Sequence, residues 1–186
     1  MGNTIYTPEK RIISRYVDRL EKEVQKYKFD PVTGLKGRRD FNNRFGRLFR
    51  MTEKQQGKEE TADKFVAVLI DVDNLHQINR QSGYQSGDDT LFRIGRELSL
   101  VCRRTQAIAT PYRIGGDEFA ITIRAMAGKS WTQKQLEDAL CSIEGITFVI
   151  LEYDQSFQSP QAMFNRLDRL LTNKKNALHL FYTPPS

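Results

Sequence analysis

Five apolar residues, Ile13, Val17, Leu20, Val24 and Tyr27, recur at alternating four- and three-residue spacing through residues 9–28. That is the period of one helix face, and charged residues fill the remaining faces. Such a stripe needs a partner, either its own domain or the same helix of a second chain. Asp30-Pro31 closes the helix, because a residue before proline avoids the helical region. Residues 34–37 read as a loop. A second helix is predicted over residues 39–51, with Phe41, Phe45, Leu48 and Phe49 on one face. Residues 52–63 are polar and read as a surface loop.

The period then changes. Residues 65–70, Phe-Val-Ala-Val-Leu-Ile, form a continuous apolar, partly β-branched run that suits a central strand buried on both faces. The run stops abruptly at Asp71-Val72-Asp73. A short helix follows, then a loop over residues 82–87, then a helix over 89–102 with Leu91, Ile94, Leu98 and Val101 on one stripe. Residues 111–114 and 119–124 flank Gly115-Gly116-Asp117-Glu118 and predict a hairpin, its glycines taking positive φ in the tight turn. Residues 131–141 read as a helix, 146–153 as a strand and 160–175 as a last helix.

The chain has 186 residues, 39% of them hydrophobic, which suits one compact α/β domain with a short appendage. No apolar run is long enough to span a bilayer, and the first ten residues lack a signal-peptide core. A cytoplasmic protein with no membrane partner is therefore expected. Cys102 and Cys141 sit in apolar helical patterns without framework or metal spacing, so both are expected as buried free thiols. The net charge of +6 is uneven: residues 1–50 hold 13 Lys/Arg against 6 Asp/Glu, the remainder 16 against 17. A basic segment can attract nucleic acid. Here acids interrupt the run and no aromatic stacking platform accompanies it, so a solvated face is expected instead.

A hydrophobic strand ending in two aspartates points to chemistry. In open α/β sheets, sites form at the carboxyl ends of strands. Asp71 and Asp73 share one side, with the Val72 carbonyl between them. If the hairpin pairs beside this strand, Asp117 and Glu118 join them, and carboxylates so crowded repel without a counter-ion. Magnesium relieves such crowding, taking one or two carboxylates together with substrate phosphates. Each piece alone has a simpler reading: Asp73 as a helix cap, Gly-Gly-Asp-Glu as a turn.

Four blocks together resemble the GGDEF family of bacterial diguanylate cyclases. They are residues 30–38, Asp-Pro-Val-Thr-Gly-Leu-Lys-Gly-Arg; residues 71–79, Asp-Val-Asp-Asn-Leu-His-Gln-Ile-Asn; Gly83-Tyr84 with Gly87-Asp88; and residues 113–119, Arg-Ile-Gly-Gly-Asp-Glu-Phe. The resemblance implies an α/β (α+β) fold, a ferredoxin-like nucleotidyl-cyclase palm whose mostly antiparallel sheet is flanked by helices. It implies a helical stalk over residues 1–28 and a catalytic domain over 29–186. It implies condensation of two GTP into cyclic di-GMP between two protomers of a homodimer. Asp71, the Val72 carbonyl, Asp117 and Glu118 would hold Mg2+, or Mn2+ in its place, with Asp117 and Glu118 the catalytic pair and Asp117 either ligand or base. Asn79 and Asp88 would read the guanine edge, Gly115 and Gly116 would admit the phosphates, and Tyr84 and Lys175 would contact the nucleotide.

The chain departs from the family pattern at several positions. Leu75-His76 replaces Phe-Lys, Arg80 replaces an aspartate, and Tyr84 replaces a histidine. The strand over residues 146–151 has no glycine, and His179 stands where a phosphate-binding arginine is usual. Weaker triphosphate binding is expected. The inhibitory Arg-x-x-Asp is absent, since residues 106–109 read Gln-Ala-Ile-Ala, so no product inhibition is expected through that site. The alternative reading is a catalytically weak domain that binds GTP or a cyclic dinucleotide and acts through protein partners.

Overall fold

Alternate residues of one strand feed two different cores. In the computed structural model, which describes residues 12–17, 19, 28–55 and 62–182, strand β2 (Lys64–Val72) is buried at every position after its first. Side chains alternate across a strand, so Val66, Val68, Ile70 and Val72 face one way. They pack with Leu91, Ile94 and Leu98 of α3 (Tyr84–Arg104) and with Leu136 and Leu140 of α4 (Gln133–Cys141). Phe65, Ala67 and Leu69 face the other way. They meet Phe41, Phe45, Leu48 and Phe49 of α1 (Arg38–Glu53) and Met163, Leu167 and Leu171 of α5 (Pro160–Tyr182). Each fully buried Phe or Ile contributes about 2 kcal/mol against exposure.

The remaining elements are β1 (Lys36–Gly37), α2 (Leu75–Ser82), β3 (Ile108–Arg113), β4 (Glu118–Ala125) and β5 (Ile146–Glu152). The sheet order is β1-β3-β4-β2-β5. Only β1 and β3 pair in parallel; the other three ladders are antiparallel. The result is a mixed α/β fold with a mostly antiparallel sheet between two helical layers, as the sequence predicts.

Several local expectations need correction. The loop predicted over residues 82–87 shrinks to Gly83, whose φ of 85° breaks the chain sharply enough for α3 to begin at Tyr84. Part of the loop predicted over 34–37 forms the edge strand β1. Cys102 is buried, and burial pushes its thiol up to about 12; Cys141 is exposed, because it lies at the last position of α4. Residues 12–17 and 19 of the predicted N-terminal helix are helical, with Ile13 and Val17 exposed; the rest of that stripe lies outside the described residues. Among the described residues no helix is long and apolar enough to cross a membrane.

Candidate active site

The end of β2 is pinned on both sides. In β2, Asp71 lies opposite Glu118 of β4 and opposite Thr147 of β5. Directly paired antiparallel residues project to the same face, so these three share the face covered by α1 and α5. The Val72 N–H donates to the Asp117 carbonyl at 2.9 Å, which fixes the Gly-Gly-Asp-Glu turn against the strand end. The Asp73 N–H donates to the Gly145 carbonyl at 2.9 Å, and Gly145 supplies the positive φ of 78° there.

The side chains divide this end between two cations. Lys175, reaching in from α5, places its Nζ 2.7 Å from Asp71 Oδ1. Arg38, at the start of α1, holds Glu118 Oε2 at 2.9 Å and the Ile114 carbonyl through its Nε. The Thr147 hydroxyl donates to Asp73 Oδ1 at 2.7 Å. Burial drives the Asp71 carboxyl upward. Lys175 pulls it back, while the charges on Asp117 and Asp73 reinforce burial, and it finishes above the ordinary value. A cleft of about 570 Å³ opens here, lined by Asp71, Val72, Asp73, Asn74, His76, Asp117, Thr147 and Lys175 among others. That volume suits a small-molecule ligand.

The turn itself is held from outside. The Arg113 guanidinium donates to the Gly115 and Gly116 carbonyls at 3.2 and 2.7 Å, and to both oxygens of Asp30 at 3.0 Å. Asp30 also accepts from the Thr33 N–H and hydroxyl, each at 2.8 Å. Burial opposes ionisation of Asp30, but the Thr33 and Arg113 donors win and hold its carboxyl below the ordinary range. Neither Gly115 nor Gly116 takes the positive φ expected of it. Gly115 answers instead to close approach, since a Cβ there would sit 2.4 Å from Glu118 Oε2. A Cβ on Gly116 meets open space.

Asn79, Tyr84 and Asp88 lie away from the cleft lining, on α2 and the first turns of α3. Tyr84 and Asp88 are exposed. The Asn79 Oδ1 is buried and has no partner among the described residues. It presses so closely on Gly87 that a Cβ there would sit 1.9 Å away. His76 lines the cleft and is exposed. His179 lies in α5, with its side chain outside the description.

The geometry thus gathers Asp71, Val72, Asp117 and Lys175, and sets Glu118 beside Asp71 under separate guard. Among the described residues no three carboxylate, imidazole or thiolate groups converge as a ready metal site. The donor set nevertheless fits a hard cation that takes few protein ligands and several phosphate oxygens. Asp71 is crowded by like charge, and an ammonium already stands in against it. Sequence reasoning met Asp30, Arg38 and Arg113 only inside the motif blocks, Asp30 also at a helix end, and gave neither them nor Thr147 a part in the site. The contacts of Arg38 and Thr147 and the Arg113–Asp30 pair span long stretches of chain, and Arg113's grip on Gly115 and Gly116 depends on the turn's final shape.

Residues 27–132 match the family described as diguanylate cyclase, GGDEF domain. The chain is 28% identical over 158 residues to the diguanylate cyclase VdcA of Vibrio cholerae, covering 85% of this chain and 42% of that protein. Against the diguanylate cyclase TpbB of Pseudomonas aeruginosa, the identity is 24% over 152 residues, covering 75% of this chain and 33% of the relative. The chain therefore spans less than half the length of these relatives. Its fold is similar to the coiled coil and GGDEF domain of DgcB from Caulobacter crescentus, solved in complex with c-di-GMP. There the TM-score is 0.72 at 18% identity, with 91% of each chain covered.

Proposed function

The chain belongs to the GGDEF family of bacterial diguanylate cyclases, and from that membership we propose that it condenses two GTP into cyclic di-GMP. The observation that carries this reading is Asp71, buried at the end of β2 in register with Glu118 and tied through Val72 to Asp117. A carboxylate kept there against its own burial and two like charges, with the Lys175 ammonium alone to offset them, retains capacity for a further cation.

Asp71, the Val72 carbonyl, Asp117 and Glu118 would hold magnesium, or manganese in its place. When bound, the ion supplies charge neutralisation at the phosphates. Lys175 shifts from Asp71 to the triphosphate, so its charge follows the incoming nucleotide. Asn79 and Asp88 bind the guanine edge; the Asn79 Oδ1 is a buried acceptor with no partner among the described residues. Asp117, already on the cleft wall, accepts the proton from a 3′-hydroxyl. That oxygen forms a bond to the α-phosphorus of the second GTP, the bond to the β-phosphate oxygen breaks, and pyrophosphate leaves. The step repeats in the opposite sense to close the ring. Each protomer presents one GTP, so two copies must face one another during turnover. Gln106 and Ala109 offer no cationic clamp, so the product does not inhibit through that stretch.

A second reading has its own support. Asp71 and Glu118 are each neutralised by a protein cation, and His76 replaces a lysine. A domain that binds guanine nucleotides weakly and acts through protein contacts fits those facts. Incubating the purified chain with α-labelled GTP and magnesium, beside Asp117→Ala, separates the two. Cyclic di-GMP from the wild type alone supports the cyclase. GTP binding without product supports the second reading.

A further inference from the structure

A second cavity, of about 430 Å³, opens between α1 and the β1–β3 edge of the sheet. Its charge is lopsided. Lys36 of β1 and Arg44 and Arg47 of α1 line it, with Asp40 as the one carboxylate and Asn43 and Thr110 as neutral polar groups. Three cations against one anion leave a surplus of two positive charges.

These cations lack the partners that basic residues find elsewhere in the molecule. Arg124 is paired with Asp63 at 2.6 Å, and Arg113 with Asp30. Among the described residues, Lys36, Arg44 and Arg47 make no ion pair with a carboxylate within 4.0 Å. Arg44 is half-buried, and its burial, together with the nearby charges of Arg47 and Arg124, lowers its pKa. An ordinary solvated basic face would spread such charges into water. Here they converge on a concavity whose floor includes the buried Tyr112. A half-buried guanidinium such as that of Arg44 is expensive without a paired carboxylate, and planar guanidinium forks match phosphoryl oxygens.

We infer that this cavity binds a phosphoryl dianion, the end group of a phosphate monoester or a diphosphate. A surplus of two charges matches a group that carries two on one phosphorus better than a phosphodiester, which carries one. The site is separate from the Asp71 cleft, shares no lining residue with it, and does not depend on the cyclase reading. It abuts the catalytic turn through the backbone. Lys36 pairs with Tyr112 and Gly37 with Arg113, and the next residue, Arg38, holds Glu118.

The test is calorimetric titration of the full chain with inorganic pyrophosphate, free of divalent metal. The wild type, Arg44→Gln/Arg47→Gln and Lys175→Gln are compared, with thermal melts to confirm folding. Saturable binding is expected, weakened about tenfold or more by the double variant, while Lys175→Gln reports any pyrophosphate held in the Asp71 cleft instead. Arg47→Gln alone, at an exposed side chain, should give a partial loss in a folded protein. Binding lost in Lys175→Gln but kept in the double variant would place the anion in the Asp71 cleft and overturn the inference. Absence of saturable binding would overturn it too. Tighter binding of cyclic di-GMP than of pyrophosphate would refute the ligand class.

Discussion

Asp30 and Asp71 each face a basic side chain at close range, Arg113 at 3.0 Å and Lys175 at 2.7 Å, yet their acidities move in opposite directions. Both are removed from water to a similar degree, with side chains 18% and 10% exposed, so burial alone does not separate them. Supply of donors does. Asp30 receives a backbone N–H, a hydroxyl and the Arg113 Nη1 shared between its two oxygens. Asp71 receives one ammonium and has two other acids nearby. The first carboxylate is saturated and serves as a fastening. The second is short of partners and keeps capacity for a ligand. A buried ion pair is thus evidence of structure or of function according to what else touches it.

Asp71→Asn tests the contrast hardest. Cyclic di-GMP synthesis should fall by about a thousandfold, while removal of a crowded buried charge raises the melting temperature by a few degrees. A lower melting temperature would mean that Asp71 is as well satisfied as Asp30. Arg113→Ala should behave in the opposite manner, destabilising the fold by about 3 kcal/mol in urea unfolding, because Asp30 is left buried without its partner. Arg113→Lys should recover part of that loss, since one ammonium cannot serve two carbonyls and two carboxylate oxygens at once. If Arg113→Ala keeps wild-type stability, the fastening is ornamental.

Gly87→Ala probes a contact that belongs to neither pair. Its Cβ would intrude on Asn79 Oδ1, so about 1–2 kcal/mol of stability should be lost and GTP binding weakened. The smallest effect is expected from acid. The Asp30 carboxyl is depressed below its ordinary value of 3.8, so its stabilisation is complete above 3.8 and is lost as pH falls through the lower folded-state value. Asp30→Asn should flatten that part of the stability profile. Asp71, raised above 3.8, works in the other direction: its ionisation costs stability as pH rises through the raised value.

The two regions also differ in how readily the sequence discloses them. The apolar run ending in Asp71 and the turn at Asp117 are local patterns, and the strands and the two-faced burial of β2 follow from them, whereas the pairing of β2 with β4 comes only from the resemblance and the structure. The break at Gly83 is local too, but the polar and glycine residues around it resemble a loop, and the close approach of Gly87 in the first turn of α3 to Asn79 of α2 shows in no local pattern. Gly115 illustrates another limit. Turn chemistry suggests positive φ, whereas the real constraint is the Glu118 carboxylate folded over the glycine. Arg38, Thr147 and the Arg113–Asp30 fastening are pairings across distant segments, and no spacing rule within one element announces them.

The register of β2 has a consequence for how the protein comes to life during synthesis. Asp71 acquires its neighbours from β4 and from β5, and Lys175 arrives later still, from the last helix. Contacts so distant in sequence form late and cooperatively, since chain closure must precede them. A nascent or partly unfolded chain therefore carries the signature residues without a working cleft. Protection of the Val72 amide against hydrogen exchange would report the moment at which the chain becomes competent, because that amide bonds to Asp117 only once the sheet has closed.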